Sequence, residues 1–373
     1  MQTIAAGQAH QSSPLRVAVV GAGLLGSSAA WQLAKRGCEV VVIEAAKRPA
    51  EGASGKSWAW LNANRKTPSH YKELNSRSMQ LWHQFPDLAE FPGTISVGDA
   101  RDEDPAYKSS NLSSADVSSL EPELSADARA QPMRLYSQEG FAYPAEANAH
   151  FLHQAERQGA SVRLSEVAMD FHKAAGTSDA ISAVMTDKGT YETDLVVLAC
   201  GERTPEMAAK LGVPFRLADK PSDHVVHTKP MPRTLHHIVI GGVEPGEELF
   251  IVQRRNGAFL IAYYKGEGAH PKVVNEETGR QVLHRAARLV PALAHAEVDH
   301  IVVGDAPTPF DGLPVTGFHP ACSNAYILCS HSGATLAPLL GQLVAQEIAD
   351  KQPADLLQHY RPTRNFNVGS HVL

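Results

Sequence analysis

The sequence predicts an α/β protein built around a Rossmann-like unit that binds a dinucleotide. Three observations carry this reading. Residues 16–44 have the pattern of a strand, a glycine turn, a helix and a second strand. Residues 194–201 form another apolar strand that ends in a glycine. A third strand at 325–329 runs into a glycine-containing helix start at 330–338, some 300 residues after the first, which suits a long cofactor held at both ends.

The first unit is the most informative. Residues 16–20 (RVAVV) are a β-branched run of the buried-strand type. Gly21, Gly23 and Gly26 follow in G-x-G-x-x-G spacing, and 27–36 reads as a helix with Ala29, Ala30, Leu33 and Ala34 on one face and Gly37 as its stop. Residues 39–43 form the second strand, which ends at Glu44. In such a turn Gly21 makes the tight bend, Gly23 lets the backbone approach a pyrophosphate, and Gly26 lets helix and strand pack closely. The helix N-terminus turns N–H groups and partial positive charge toward the phosphates. Glu44 is placed to accept hydrogen bonds from both ribose hydroxyls, which favours an unphosphorylated adenosine ribose and hence NAD or FAD over NADP.

The later elements are read in the same way. Residues 51–60 are a loop rich in small residues, and 159–164 and 180–185 are strands. The stretch 92–137, rich in Ser, Asp and Pro, breaks into short elements. Residues 235–264 alternate strand signals, with Arg255, Asn256 and Gly257 as a hairpin turn between strands at 249–253 and 258–262. Residues 278–293 read as a helix with Val282, Ala286, Leu289 and Val290 on one face.

Composition bounds the function. A chain of 373 residues has room for about two to three domains. With 43% hydrophobic and 20% charged residues it is neither disordered nor collagen-like. Lys plus Arg number 34 against 40 Asp plus Glu, a net charge of -6 without a long basic run, which excludes nucleic acid as a partner. No apolar stretch approaches the ~20 residues of a membrane span. The polar segment 1–13 lacks an apolar signal core and reads as a flexible tail on a cytoplasmic protein. The four cysteines, Cys38, Cys200, Cys322 and Cys329, form no C-x-x-C pair and suit a reducing compartment. The 18 histidines raise the question of a metal. His224 and His227 are three apart in a strand-like run and point to opposite faces, and the adjacent His236 and His237 also point apart in a strand, so no metal site is expected.

Five motifs taken in order carry a resemblance: G-x-G-x-x-G at 21–26, A-S-G-K-S at 53–57, D-L-V-V-L-A-C-G at 194–201, D-G-L-P at 311–314 and H-S-G-A-T-L-A-P at 331–338. Together, from Arg16 to Phe366, they resemble the FAD-dependent D-amino acid oxidase superfamily, which includes glycine oxidase, sarcosine oxidase and D-amino acid dehydrogenase. The resemblance implies an FAD-binding Rossmann-like domain (14–85, 140–214 and 300–366) interleaved with an α+β substrate domain on a mostly antiparallel sheet (86–139 and 215–299). It also implies FAD contacts at Gly21, Gly23, Leu24, Leu25, Gly26, Glu44 and Ala45. The loop of Ser54, Gly55, Lys56 and Ser57 would meet the pyrophosphate and ribityl side, and the backbone of Val167 the adenine. Gly201 and Gly312 complete the set, together with the loop His331, Ser332, Gly333, Ala334, Thr335 and Leu336 at the pyrimidine end of the flavin. A helix N-terminus there stabilises the negative charge that reduction places on N1–C2=O.

The departures from the family are equally informative. Relatives carry an arginine before the T-x-D-G-x-P segment that clamps the substrate carboxylate, and this chain has Ala306. Either the substrate lacks that carboxylate or another cation, such as Arg254 or Arg255, supplies the charge. No cysteine lies at 303–309 and Ala59 follows Trp58, so both family routes to a covalent flavin are absent and FAD is expected to be non-covalent. Trp58 and Trp60 either wall the flavin or fill the core, and Trp60 is a candidate substrate contact.

The reaction this implies is oxidation of the C–N bond of an amine or amino acid larger than glycine. Hydride passes to flavin N5 and the imine is hydrolysed. His331 is the candidate catalytic group, and the acceptor is O2 or a quinone or redox partner. Two alternatives stay open: a 2-hydroxy acid dehydrogenase and a non-catalytic protein that FAD merely stabilises.

Overall fold

The computed structural model describes residues 13–98, 107–176, 179–219, 223–265 and 274–366; the expected tail, but for Ser13, lies outside them. The first unit consists of β1 (Arg16–Val20), α1 (Leu24–Lys35) and β2 (Glu39–Ile43). β1 and β2 pair in parallel from Arg16↔Glu39 to Val20↔Ile43. α1 starts three residues before its expected position, because Gly23 in extended backbone already serves as its N-cap. The helix therefore includes the last half of the glycine turn.

These strands belong to a six-stranded sheet in the order Val315–His319, Cys322–Cys329, Leu195–Leu198, β1, β2, Ser161–Arg163. All pairs are parallel except the one made by the edge strand Val315–His319, which the sequence pattern did not predict. One face is covered by α1 and by the C-terminal helix Gly333–Ile348, where Val17, Val19, Ala29, Ala30 and Leu33 share a core with Leu336, Leu340 and Val344. Burying each large aliphatic side chain contributes about 1.5–3 kcal/mol. The two helices approach closely because Gly341 faces α1: a Cβ there would stand 2.2 Å from Ser28 Oγ.

The second large sheet has eight strands, Val298–Gly304, Asp223–Thr228, Phe259–Lys265, Glu247–Gln253, Ile238–Gly241, Thr94–Val97, Met133–Tyr136 and Ser110–Asn111, in that spatial order. Only Ile238–Gly241 with Thr94–Val97 is parallel, so the sheet is mostly antiparallel. The hairpin around 255–257 is present, with Gly257 at φ 86. Val298–Gly304 lies in this sheet, so the domain boundary expected at 300 falls inside a strand. A small sheet of Trp60–Leu61, Gly140–Ala142 and Ala89–Glu90 adds three further strands.

Two local readings are corrected. The helix expected at 278–293 is Glu276–Ala286 followed by a separate 3-10 turn, Pro291–His295. Pro291 disfavours the α region for the preceding residue, and Val290 indeed sits at φ -123, ψ 91. His236 and His237 precede the strand Ile238–Gly241 rather than lying in it. Both of their backbone N–H groups donate to the buried Glu121 Oε1. Among the described residues no group of three or more His, Cys, Asp or Glu is arranged to hold a metal ion, and no helix is long and apolar enough to cross a membrane.

Candidate functional site

Two adjoining cavities open at the C-terminal end of the six-stranded sheet. The larger, about 220 Å³, begins at the glycine turn. Gly21, with φ 103, and Gly26 are packed against backbone: a Cβ would lie 2.3 Å from Ala199 O and 2.0 Å from Gly21 O respectively. Gly23 is different. It faces the cavity, and a Cβ there would meet only Ser54 Oγ, at 3.2 Å. Gly23, the N-cap of α1, has no side chain of its own to cap the helix, no acid stands in the first turn, and Ser54 Oγ accepts from Leu24 N–H at 3.1 Å. Leu24, Leu25, Ala45, Ser54, Ser57, Gly201, Gly333 and Ala334 also line this cavity. Glu44 lies on its wall, its carboxylate accepting hydrogen bonds from Ala22 N at 2.7 Å and Ala46 N at 2.9 Å. Two backbone donors thus fix the orientation of the acid.

The smaller cavity, about 110 Å³, continues from the larger through Ala53, Ser57, Ala306, His331 and Ala334, which line both. Its remaining wall is aromatic on one side, with Trp58 and Trp60 stacked at 5.3 Å and Phe250 behind them, 4.6 Å from Trp58. Val225 from the eight-stranded sheet adds an apolar contact. The polar side holds Lys56, Asn62, Lys66, Ser332 and Thr335. Ser332 Oγ accepts from the buried Tyr71 hydroxyl at 2.7 Å and from Lys66 Nζ at 3.3 Å. Thr335 Oγ1 donates to Trp60 O at 3.0 Å, tying the C-terminal helix to the Trp60 strand.

Several expected site residues are elsewhere. Gly26 and Gly55 pack against backbone, Gly55 with a Cβ position 2.0 Å from Ala50 O, and neither lines a cavity. Leu336 points into the core. Val167 pairs with Asp187 through both N–H and C=O, and its neighbours Glu166 and Ala168 line the larger cavity in its place. Gly312, with φ 77, makes a turn outside both cavities. Arg254 and Arg255 line neither cavity: their guanidinium groups lie over the Tyr143 ring at 5.5 and 4.1 Å, and Arg255 also donates to Asp87 O. Phe250, in the strand Glu247–Gln253 that leads to this turn, is the residue of the hairpin that packs behind the aromatic wall.

Asn62, Lys66 and Val225 were missed. Trp60 and Asn62 are two apart across the strand Trp60–Leu61, a signal readable at period two, whereas Trp58 joins them only because Ala59 turns the backbone through the left-handed region at φ 57. Lys66 and Val225 carry no such signal; only the tertiary fold brings them in.

The FAD dependent oxidoreductase family model matches residues 16–347. The chain belongs to this family. Among curated members it is 26% identical to the glycine oxidase of Geobacillus kaustophilus, over 94% of this chain and 97% of that one. It is 23% identical to the glycine oxidase of Pseudomonas aeruginosa, over 91% and 96%. Among solved structures, L-proline dehydrogenase from P. horikoshii has the same fold, with a TM-score of 0.80 at 21% identity, over 94% of this chain and 97% of that one.

The walls of the larger cavity fit the family's cofactor. Gly23 leaves open the place where a pyrophosphate would approach the N-terminus of α1, and Glu44 is buttressed where an adenosine ribose would lie. Cys200 and Cys329 lie on the same wall, but burial pushes both thiols up to about 12, so they remain protonated and poor nucleophiles at neutral pH.

Proposed function

We propose that this chain oxidises the C–N bond of an amine or amino acid larger than glycine, using FAD held without a covalent link. The observation that carries this is the composition of the smaller cavity: Ala306 at its junction with the larger one, against a wall of Trp58, Trp60 and Val225. FAD, when bound, would supply the hydride acceptor for the C–H on the carbon bearing nitrogen, and water would hydrolyse the resulting imine of the substrate to a carbonyl and an amine. The protein's part is mainly positioning and polarisation. The aromatic wall orients the carbon chain of the substrate. His331, on the wall of both cavities, stands where it can hold or move a proton at the substrate nitrogen, which must be unprotonated to release hydride. The N-terminus of the helix Gly333–Ile348 supplies positive potential at the same place.

Non-covalent binding is supported by Ala59 and by the absence of cysteine at 303–309. Four free cysteines suit a reducing cytoplasm. O2 and a quinone or protein redox partner are the acceptors this chemistry admits.

Size selectivity follows from the cavity. Ala306 cannot supply a bidentate guanidinium clamp, and the lysines on the wall are point charges without its fork. A glycine-sized substrate gains little from the aromatic wall, at about 0.8 kcal/mol per buried methylene. The expected result is a kcat/KM for N-alkyl or cyclic amines and amino acids with three or more extra carbons at least about tenfold above that for glycine, sarcosine or D-alanine, since two to three such methylenes amount to more than 1.4 kcal/mol. Efficient turnover of glycine would contradict the size argument and direct attention to the cavity lysines.

A further inference from the structure

Behind the aromatic wall lies a carboxyl group that the oxidation chemistry does not use. Glu139, just before the strand Gly140–Ala142, has no exposed surface. Its Oε2 accepts a hydrogen bond from Trp60 Nε1 at 3.1 Å, and the same indole nitrogen lies 3.3 Å from Thr94 Oγ1. Glu139 Oε1 has no hydrogen-bond partner among the described residues. A buried carboxylate with one oxygen unsatisfied destabilises a fold unless the charge serves another purpose.

The surroundings decide how that charge behaves. Hydrogen bonding from Thr94, Trp60 and Tyr107 favours ionisation, as does, more weakly, Arg65 from the loop after Trp60–Leu61, which is itself paired with Glu248 at 2.9 Å. The phenols of Tyr107 and of Tyr136, on the strand Met133–Tyr136, stand beside it, and burial pushes both above the usual tyrosine range; Arg134 in turn acts on Tyr136. Burial dominates and pushes the Glu139 carboxyl up to about 7. Glu139 therefore changes charge near neutrality while attached to a ring that walls the smaller cavity.

We propose that Glu139 is a positioning residue for the substrate cavity: its carboxylate fixes the Trp60 ring through the indole N–H, so ligand affinity falls when Glu139 takes up a proton. This rests on the smaller cavity being the substrate site. A hydrogen bond to an ionised acceptor is roughly twice as strong as a neutral one. Trp60 stacks on Trp58 and lies 5.6 Å from Phe250, so any rotation of its ring reshapes the wall as a whole.

The test uses the FAD-bound protein and benzamide, which is uncharged across the range, followed by the flavin absorption spectrum. Wild type should bind benzamide about three- to tenfold more tightly at pH 8.5 than at pH 5.5, the ratio set by ~1 kcal/mol between charged and neutral acceptors, with a midpoint near 7. Glu139→Gln keeps an acceptor oxygen without the charge and should flatten the profile. Trp60→Phe removes the donor and should flatten it as well. A pH dependence that survives in Glu139→Gln, pointing to His331 instead, would overturn the proposal. A second readout needs no ligand: the indole 15N–H resonance of Trp60, identified by its loss in Trp60→Phe, should titrate near 7 in wild type and not in Glu139→Gln. A Trp60 resonance indifferent to pH overturns the proposal. If it titrates while neither benzamide nor any amine disturbs the flavin, Glu139 does hold Trp60 and the substrate reading of the cavity is what fails.

Discussion

Gly23→Leu protein is expected to purify folded and colourless, while wild type purifies yellow and releases its FAD into the supernatant on acid precipitation. The three glycines of the turn separate by what surrounds them. Side chains at Gly21 or Gly26 would run into backbone, at 2.3 and 2.0 Å, so those substitutions damage the packing of α1 on β1. At Gly23 the only protein atom in the way is Ser54 Oγ at 3.2 Å, the end of a rotatable side chain. The leucine would instead fill cavity space where a pyrophosphate approaches the helix end. Overfilling a closely packed site costs about 3 kcal/mol, or more than a hundredfold in Kd. Circular dichroism and thermal melting show whether the fold persists, and flavin content after reconstitution measures the loss. A yellow Gly23→Leu protein with normal FAD content would mean that the cofactor lies elsewhere.

His331→Ala is expected to keep FAD and to slow its reduction. His331 contributes to both cavity walls, one residue before Ser332, the N-cap of the helix Gly333–Ile348. A preorganised electrostatic group at the reacting centre is worth about 3 kcal/mol, roughly a hundredfold in rate. Stopped-flow reduction under anaerobic conditions isolates that step from binding and from reoxidation. An unchanged reduction rate with unchanged flavin content would assign His331 a structural role.

The parts of the site that were legible in the sequence are those built by local rules. The glycine turn, the acid closing β2 and the late helix start follow from spacing and backbone geometry alone. What could not be read depended on where one element meets another. Arg254 and Arg255 sit in the turn between the strands Glu247–Gln253 and Phe259–Lys265, yet their guanidinium groups lie over Tyr143 rather than in either cavity. Lys66 reaches the cavity from a loop between strand and helix, by a route no periodicity encodes. Glu139 carries no local signal of burial; its complete burial arises from packing among Trp60, Thr94 and Tyr107. The edge strand Val315–His319 was hidden because its Gly317 and the preceding Pro314 look like turn residues, while its partner Cys322–Cys329 supplies the ladder.

The most direct measurement is anaerobic bleaching of the bound flavin near 450 nm by a panel of amines, amino acids and 2-hydroxy acids. Bleaching by amines or amino acids larger than glycine, with a carbonyl compound and an amine recovered after mixing with water, is the predicted result. Bleaching by 2-hydroxy acids alone would make the protein an alcohol-oxidising member of its family, and a flavin that no substrate bleaches would make it a non-catalytic flavoprotein; either result would contradict C–N oxidation.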